Sequence, residues 1–77
     1  MIKVQVTLIG SLSRYSRGCK INTISLPEGV RVEEILKEYK IPLEYCSFMT
    51  VNGLKVPRSH SLKEGDQVVV FPLVSGG

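Results

Sequence analysis

Four consecutive apolar residues, Val68-Val-Val-Phe71, lie within residues 67–75 and constrain the fold more than any other segment. A strand without polar alternation needs cover on both faces, or it leaves one face sticky. A sheet that covers a helix needs its most apolar strand in the middle, and this strand is the best candidate for that seat. A domain of 77 residues buries only about 60% of the surface its unfolded chain exposes, and its stability is modest.

The opening segment supplies a neighbour. Ile2, Val4, Val6 and Leu8 alternate with Lys3, Gln5 and Thr7, the period-two signature of a half-buried strand. Residues 10–18 interrupt it with glycine, serine and arginine and read as a loop. Residues 20–26 resume the pattern with Ile24 and Leu26 on one face, which predicts a long-looped hairpin that Pro27-Glu28-Gly29 ends. From Arg31 the period changes. Val32, Ile35, Leu36 and Tyr39 fall at helical spacing, predicting an amphipathic helix of about ten residues that stops before Pro42. Glu33 and Glu34 suit its first turn, Lys37 and Lys40 its last, and Glu33 stands in the favourable order before Lys37. Neither Val30 nor Arg31 can cap it, a loss of about 1 kcal/mol.

Phe48-Met-Thr-Val51 and Leu54-Lys-Val56 read as two short strands. Asn52-Gly53 between them is a two-residue hairpin signal, since both residues tolerate positive φ. Gly65 supplies a left-handed residue before the last strand, and Asp66 can bond nearby amides. Glu64 and Asp66 look like a carboxylate pair, but the glycine between them favours a turn. A right-handed helical crossover would set the last strand parallel to the first. The prediction is an α+β fold, a β-grasp in which a mixed sheet of four to five strands clasps one helix. Residues 1–74 form that domain and residues 75–77 a flexible tail ending in Gly-Gly.

Composition excludes several functions. No stretch approaches the ~18 apolar residues of a membrane span, and the strand pattern opening at Ile2 leaves no room for a signal peptide, so the expected location is cytoplasmic. Cys19 and Cys46 match neither zinc nor disulfide-framework spacing; a single bridge stays open, but structural thiols are the expectation. His60 has no sequence neighbour that would make it a metal ligand. Ser11, Ser13 and Ser16 lack a base and an orienting group. No catalytic side chain and no metal site are expected. The net charge of +3 owes much to Arg14, Arg17 and Lys20 around Tyr15. That cluster reads as a solvated loop or a dock for an acidic partner, with RNA binding the less favoured option.

The end of the chain is where chemistry concentrates. An α-carboxyl is ionised at neutral pH and a poor electrophile. It becomes reactive once its oxygen is made a leaving group, for instance as an acyl adenylate. Gly77 has no β-carbon to shield that carbonyl, and Gly76 keeps the tail narrow enough to thread a tunnel. Residues 73–77 reach about 17 Å at ~3.4 Å per residue.

Val51-Asn-Gly53, Val56, Leu62-Lys-Glu-Gly-Asp66, Val68 and Phe71-Pro-Leu-Val-Ser-Gly-Gly77 together resemble the ubiquitin-like sulfur carriers. These comprise the small subunit of molybdopterin synthase and the carrier used in making the thiamine thiazole. Met1-Ile-Lys-Val4 and the Gly-Ser-Leu-Ser-Arg14 turn look more like the molybdopterin member. The resemblance implies that an E1-like enzyme uses ATP to adenylate Gly77 and that a sulfur donor converts it to a thiocarboxylate. The carrier would then insert Ser75 and Gly76 into an acceptor synthase subunit, docking through Phe71, Leu73 and Val74. It implies a co-substrate rather than an enzyme, with no cofactor bound. Use in thiamine synthesis, or as a protein modifier, is the alternative. Leu73 stands where members often have a second proline.

Overall fold

The computed structural model describes residues 1–16 and 21–73. Within them the strands are β1 (Ile2–Leu8), β2 (Ile21–Leu26), β3 (Cys46–Val51), β4 (Leu54–Val56) and β5 (Gln67–Pro72), with one α-helix, α1 (Glu34–Glu38). They form a five-stranded sheet in the order β2-β1-β5-β3-β4. β1 pairs parallel with β5, and every other neighbouring pair is antiparallel. The apolar last strand therefore holds the central seat that its composition demands.

Alternation explains which face is buried. Ile2, Val4, Val6 and Leu8 point inward from β1, and Val68 and Val70 from β5. They meet Val32, Ile35 and Leu36, all fully buried, and Met49 and Leu62. Each such side chain contributes about 1.5–3 kcal/mol. The other side of β5 is only half covered: Val69 and Phe71 are partly exposed. Of the two outcomes open to the four-residue apolar run, the molecule has the partly sticky face.

The helix is shorter than its periodicity suggests. The stripe is buried as expected, but α1 has five residues rather than about ten. The turn before it is wound more tightly, with the amides of Glu34, Ile35 and Leu36 bonding Arg31 O, Val32 O and Glu33 O three residues back at 3.0, 3.1 and 3.1 Å. The orphan amides of Val32 and Glu33 donate to His60 O (2.8 Å) and Arg58 O (3.2 Å). Glu33 sits at the N-cap without a side-chain hydrogen bond, in keeping with the missing capping residue. At the other end Lys40 is left-handed, φ 58°. Lys40 N bonds Lys37 O at 3.1 Å and Ile41 N bonds Leu36 O at 2.8 Å, closing a Schellman motif over buried Ile41. A lysine there forgoes about 1 kcal/mol relative to a residue without a β-carbon. Lys37 pairs with Glu34, not Glu33, at 3.3 Å. The shortened helix leaves Glu33 ahead of the first turn.

Two short 3-10 helices are present, Gly10–Ser16 where a loop was expected and Leu43–Tyr45 between α1 and β3. The first buries Leu12 and closes with Ser16 Oγ donating to Ser13 O at 2.6 Å. Its start approaches the end of β5 closely: Gly10 has φ +59°, and a β-carbon there would lie 3.2 Å from Pro72 Cγ. The β3–β4 turn has Asn52 at φ 53° and Gly53 at φ 86°, a type I′ hairpin as the dipeptide predicts.

Candidate functional site: the root of the tail and the face beside it

The centre of the sheet delivers the chain to its last described residue. β5 is held on both sides as far as Val70, by β1 and β3, and by β3 alone up to Pro72. Leu73 N then donates to Tyr45 O at 2.9 Å, fixing the direction in which the backbone leaves. Leu73 itself is 58% exposed. It borders a cleft of about 340 Å³ with Leu12, Arg14, Tyr15, Glu44 and Tyr45. The Arg14 guanidinium lies 5.3 Å from the centre of the Tyr15 ring. Val74, Ser75, Gly76 and Gly77 lie outside the described residues, as do Arg17, Cys19 and Lys20 of the basic segment.

Phe71 points to the outer face of the sheet and stacks on Phe48 of β3, with centroids 4.5 Å apart and planes 13° from parallel. Lys55 Nζ of β4 sits 5.2 Å from the Phe48 ring. The stack is half-buried and flat, with a cation at its rim. The sequence reading named Phe71 for docking and did not name Phe48, its stacking partner. The signal was present, because Phe48 and Thr50 share the outer side of a period-two strand, but only the register of β3 on β5 makes Phe48 and Phe71 partners.

A second group of residues sets the β3 entry. Arg58 Nη2 donates to Leu43 O and Cys46 O, each at 3.3 Å. Cys46 carries a free, buried thiol at a register shift between Cys46 and Phe48. Burial pushes its pKa up, and the Arg58 charge offsets part of that rise. Burial thus disfavours the thiolate in the folded chain only. The stability contributed is present below the unfolded thiol range, about 8.5, and is lost as pH rises above it. Urea midpoints measured at pH 7 and pH 9.5 should fall further for the wild type than for Cys46→Ala. Equal falls would show that Cys46 does not titrate differently on folding.

Among the described residues no group of three or more His, Cys, Asp or Glu could hold a metal ion. No described helix is long and apolar enough to cross a membrane. His60 is half-buried, and its carbonyl, not its ring, has the defined role of accepting Val32 N. Asp66 stabilises the turn as expected, accepting the amide of Lys63 at 2.8 Å, whereas Glu64 accepts the amide of Lys3 in β1 at 3.1 Å.

This sheet order, with one helix on its inner face and the C-terminal strand at its centre, defines a ubiquitin-like β-grasp. The ThiS family profile matches residues 6–77. The chain belongs to the ThiS family of ubiquitin-fold sulfur carriers. Among solved structures it is similar to a candidate molybdopterin converting factor subunit 1 from Pyrococcus furiosus, with 30% identity and a TM-score of 0.74 over 96% of this chain and 100% of that one. It shares its fold with small archaeal modifier protein 1 of Haloferax volcanii (15% identity, TM-score 0.78, 96% and 100% covered). The same holds for the complex of subunits 1 and 2 of molybdopterin-converting factor from Helicobacter pylori (24% identity, TM-score 0.64, 99% and 100% covered). No curated protein matches the chain by sequence.

Proposed function

We propose that the chain carries sulfur on the carboxyl group of Gly77, with molybdopterin synthesis the favoured destination. The observation that carries this reading is the family match itself, which runs through Gly76 and Gly77 to residue 77. An E1-like enzyme would use ATP to convert the Gly77 carboxylate into an acyl adenylate, releasing pyrophosphate. A sulfur donor would then displace AMP and leave a thiocarboxylate. That group is a softer and better carbon nucleophile than the carboxylate it replaces. The acceptor synthase subunit would provide the catalytic side chains, so the carrier acts as co-substrate and not as enzyme. Likeness to the Pyrococcus protein supports the molybdopterin route, as does the Helicobacter pair, in which a subunit of this fold is joined to a second subunit. The thiamine thiazole is the alternative acceptor pathway.

Docking on that partner is assigned to Phe71, Leu73 and Val74, with Phe48 added from the geometry. The stacked rings offer a rigid apolar surface that costs little side-chain entropy to bury. Ser75 and Gly76 would thread the cleft.

Intact mass spectrometry after incubation with the activating enzyme, ATP and a sulfur donor tests the reading. The expected product gains the mass difference of one oxygen exchanged for sulfur. A chain that releases no AMP and never shifts in mass would refute it. A second reading, a protein modifier, is supported by the fold shared with small archaeal modifier protein 1. It predicts covalent conjugates through lysine amines on a denaturing gel, in place of sulfur transfer.

A further inference from the structure

The two edges of the sheet are built differently. β4 is three residues long, carries Lys55 and is followed by Pro57, the features that protect an edge from pairing. β2, Ile-Asn-Thr-Ile-Ser-Leu, has six residues, no charge and no proline. Its outward backbone groups can be assigned from the ladder. Lys3 O accepts Gly65 N, and Gln5 N donates to Asp66 O, so odd-numbered residues of β1 face β5. Even-numbered ones face β2, where Val6, Val4 and Ile2 oppose Asn22, Ile24 and Leu26. The backbone amides and carbonyls of Ile21, Thr23 and Ser25 therefore point away from the sheet. Among the described residues none accepts or donates there.

Beside this edge, on the helix side, lies an open groove of about 500 Å³. Ile24, Tyr15 and Tyr39 give it apolar walls, and Glu38 and Lys40 reach it from the end of α1. A strand added to β2 would alternate its side chains between this groove and the exposed outer face that carries Thr23 and Ser25.

Charge selects the occupant. Residues 1–27 contain Lys3, Arg14, Arg17 and Lys20 and no aspartate or glutamate; the first carboxylate of the chain is Glu28. Among the described residues, Lys3 stands opposite Ser25 and Lys40 lines the groove, so two copies joined edge to edge would bring these cations toward their counterparts, which like-charge repulsion opposes. We propose that β2 is a strand-addition site for an extended segment of an acidic partner protein, with apolar residues at alternate positions filling the groove beside Tyr39 and Lys40. Main-chain pairing to Thr23 and Ser25 would give affinity, the groove selectivity, and flanking carboxylates orientation. This site lies at the opposite edge of the sheet from β3 and β4, so it is separate from the Phe48–Phe71 face.

The test is a titration of the isotope-labelled chain with a synthetic peptide of alternating valine and threonine flanked by aspartates, followed by amide NMR shifts. Shifts should concentrate on Ile21, Thr23, Ser25 and Lys40, and affinity should fall about tenfold between low and high salt. Lysine flanks in place of aspartates should weaken binding about tenfold or more. Thr23→Pro removes one outward amide without touching the β1 ladder and should weaken binding about tenfold. The same peptide N-methylated at alternate residues should lose binding equally, with the protein itself unaltered. Absence of binding, shifts centred on Phe48 and Phe71, equal binding by the methylated peptide, or dimerisation through β2 without peptide would each overturn the proposal.

Discussion

Adding one alanine after Gly77 should abolish sulfur loading and transfer while leaving the folded domain unchanged. The extension moves the reacting carboxyl by about 3.4 Å and places a methyl group beside the carbon to be attacked. Misplacement by even about 1 Å can cost ~10²-fold in rate, so a loss of that size or more is expected. Folding should not notice, because β5 ends at Pro72, well before Gly77. Two measurements together make the test. Thermal unfolding should coincide with that of the wild type, and adenylation by the activating enzyme, read as carrier-dependent exchange of labelled pyrophosphate into ATP, should vanish. An extended chain that still accumulates a thiocarboxylate would contradict the proposed role of Gly77. Coincident melting separates this result from simple misfolding.

Asp66→Ala should have the largest effect on stability of any single polar substitution. Asp66 is buried, and its Oδ1 accepts Asn52 Nδ2 at 3.0 Å while its Oδ2 accepts Lys63 N at 2.8 Å. Asn52 in turn accepts Gln67 N through Oδ1 at 3.0 Å and donates its own amide to Gln67 O at 2.8 Å. One carboxylate thus ties the β3–β4 hairpin to the start of the central strand. Its removal strands two donors in a partly buried place, and a hydrogen bond to a charged group is worth about 1.5–3 kcal/mol. The expected loss is about 2–4 kcal/mol. A domain of this length has about 4–12 kcal/mol in all, and each kcal/mol shifts Tm by about 4–8 °C. Asp66→Asn should lie between the two: its oxygen can still accept Lys63 N, but its amide then faces the Asn52 amide, donor against donor. Urea unfolding that moves by less than about 0.5 kcal/mol in Asp66→Ala would show that the network is replaced by water at no cost.

Much of this architecture follows from short-range pattern. Period-two alternation in β1, the Asn52-Gly53 turn, the left-handed Gly65 and the central place of β5 each depend on residues within a few positions of one another. Steric rules at that range are settled before any tertiary contact forms. The helix shows where such reasoning fails. Its buried stripe of Val32, Ile35 and Leu36 was legible, but its length was not. The amides of Glu34, Ile35 and Leu36 bond carbonyls three residues back, a tighter winding that apolar spacing does not reveal. The 3-10 helix at Gly10–Ser16 escaped for a similar reason, since Leu12 alone in a polar stretch shows no period.

The site divides along the same line. The sequence by itself determined the Gly76-Gly77 pair and the apolar strand that precedes it, because both are properties of consecutive residues. Tertiary structure alone decided that Phe48 stacks on Phe71, that Asp66 reaches Asn52, and that β2 becomes an edge with its amides turned outward. Those pairs are brought together by strand register, and register is set by burial of the whole inner face at once.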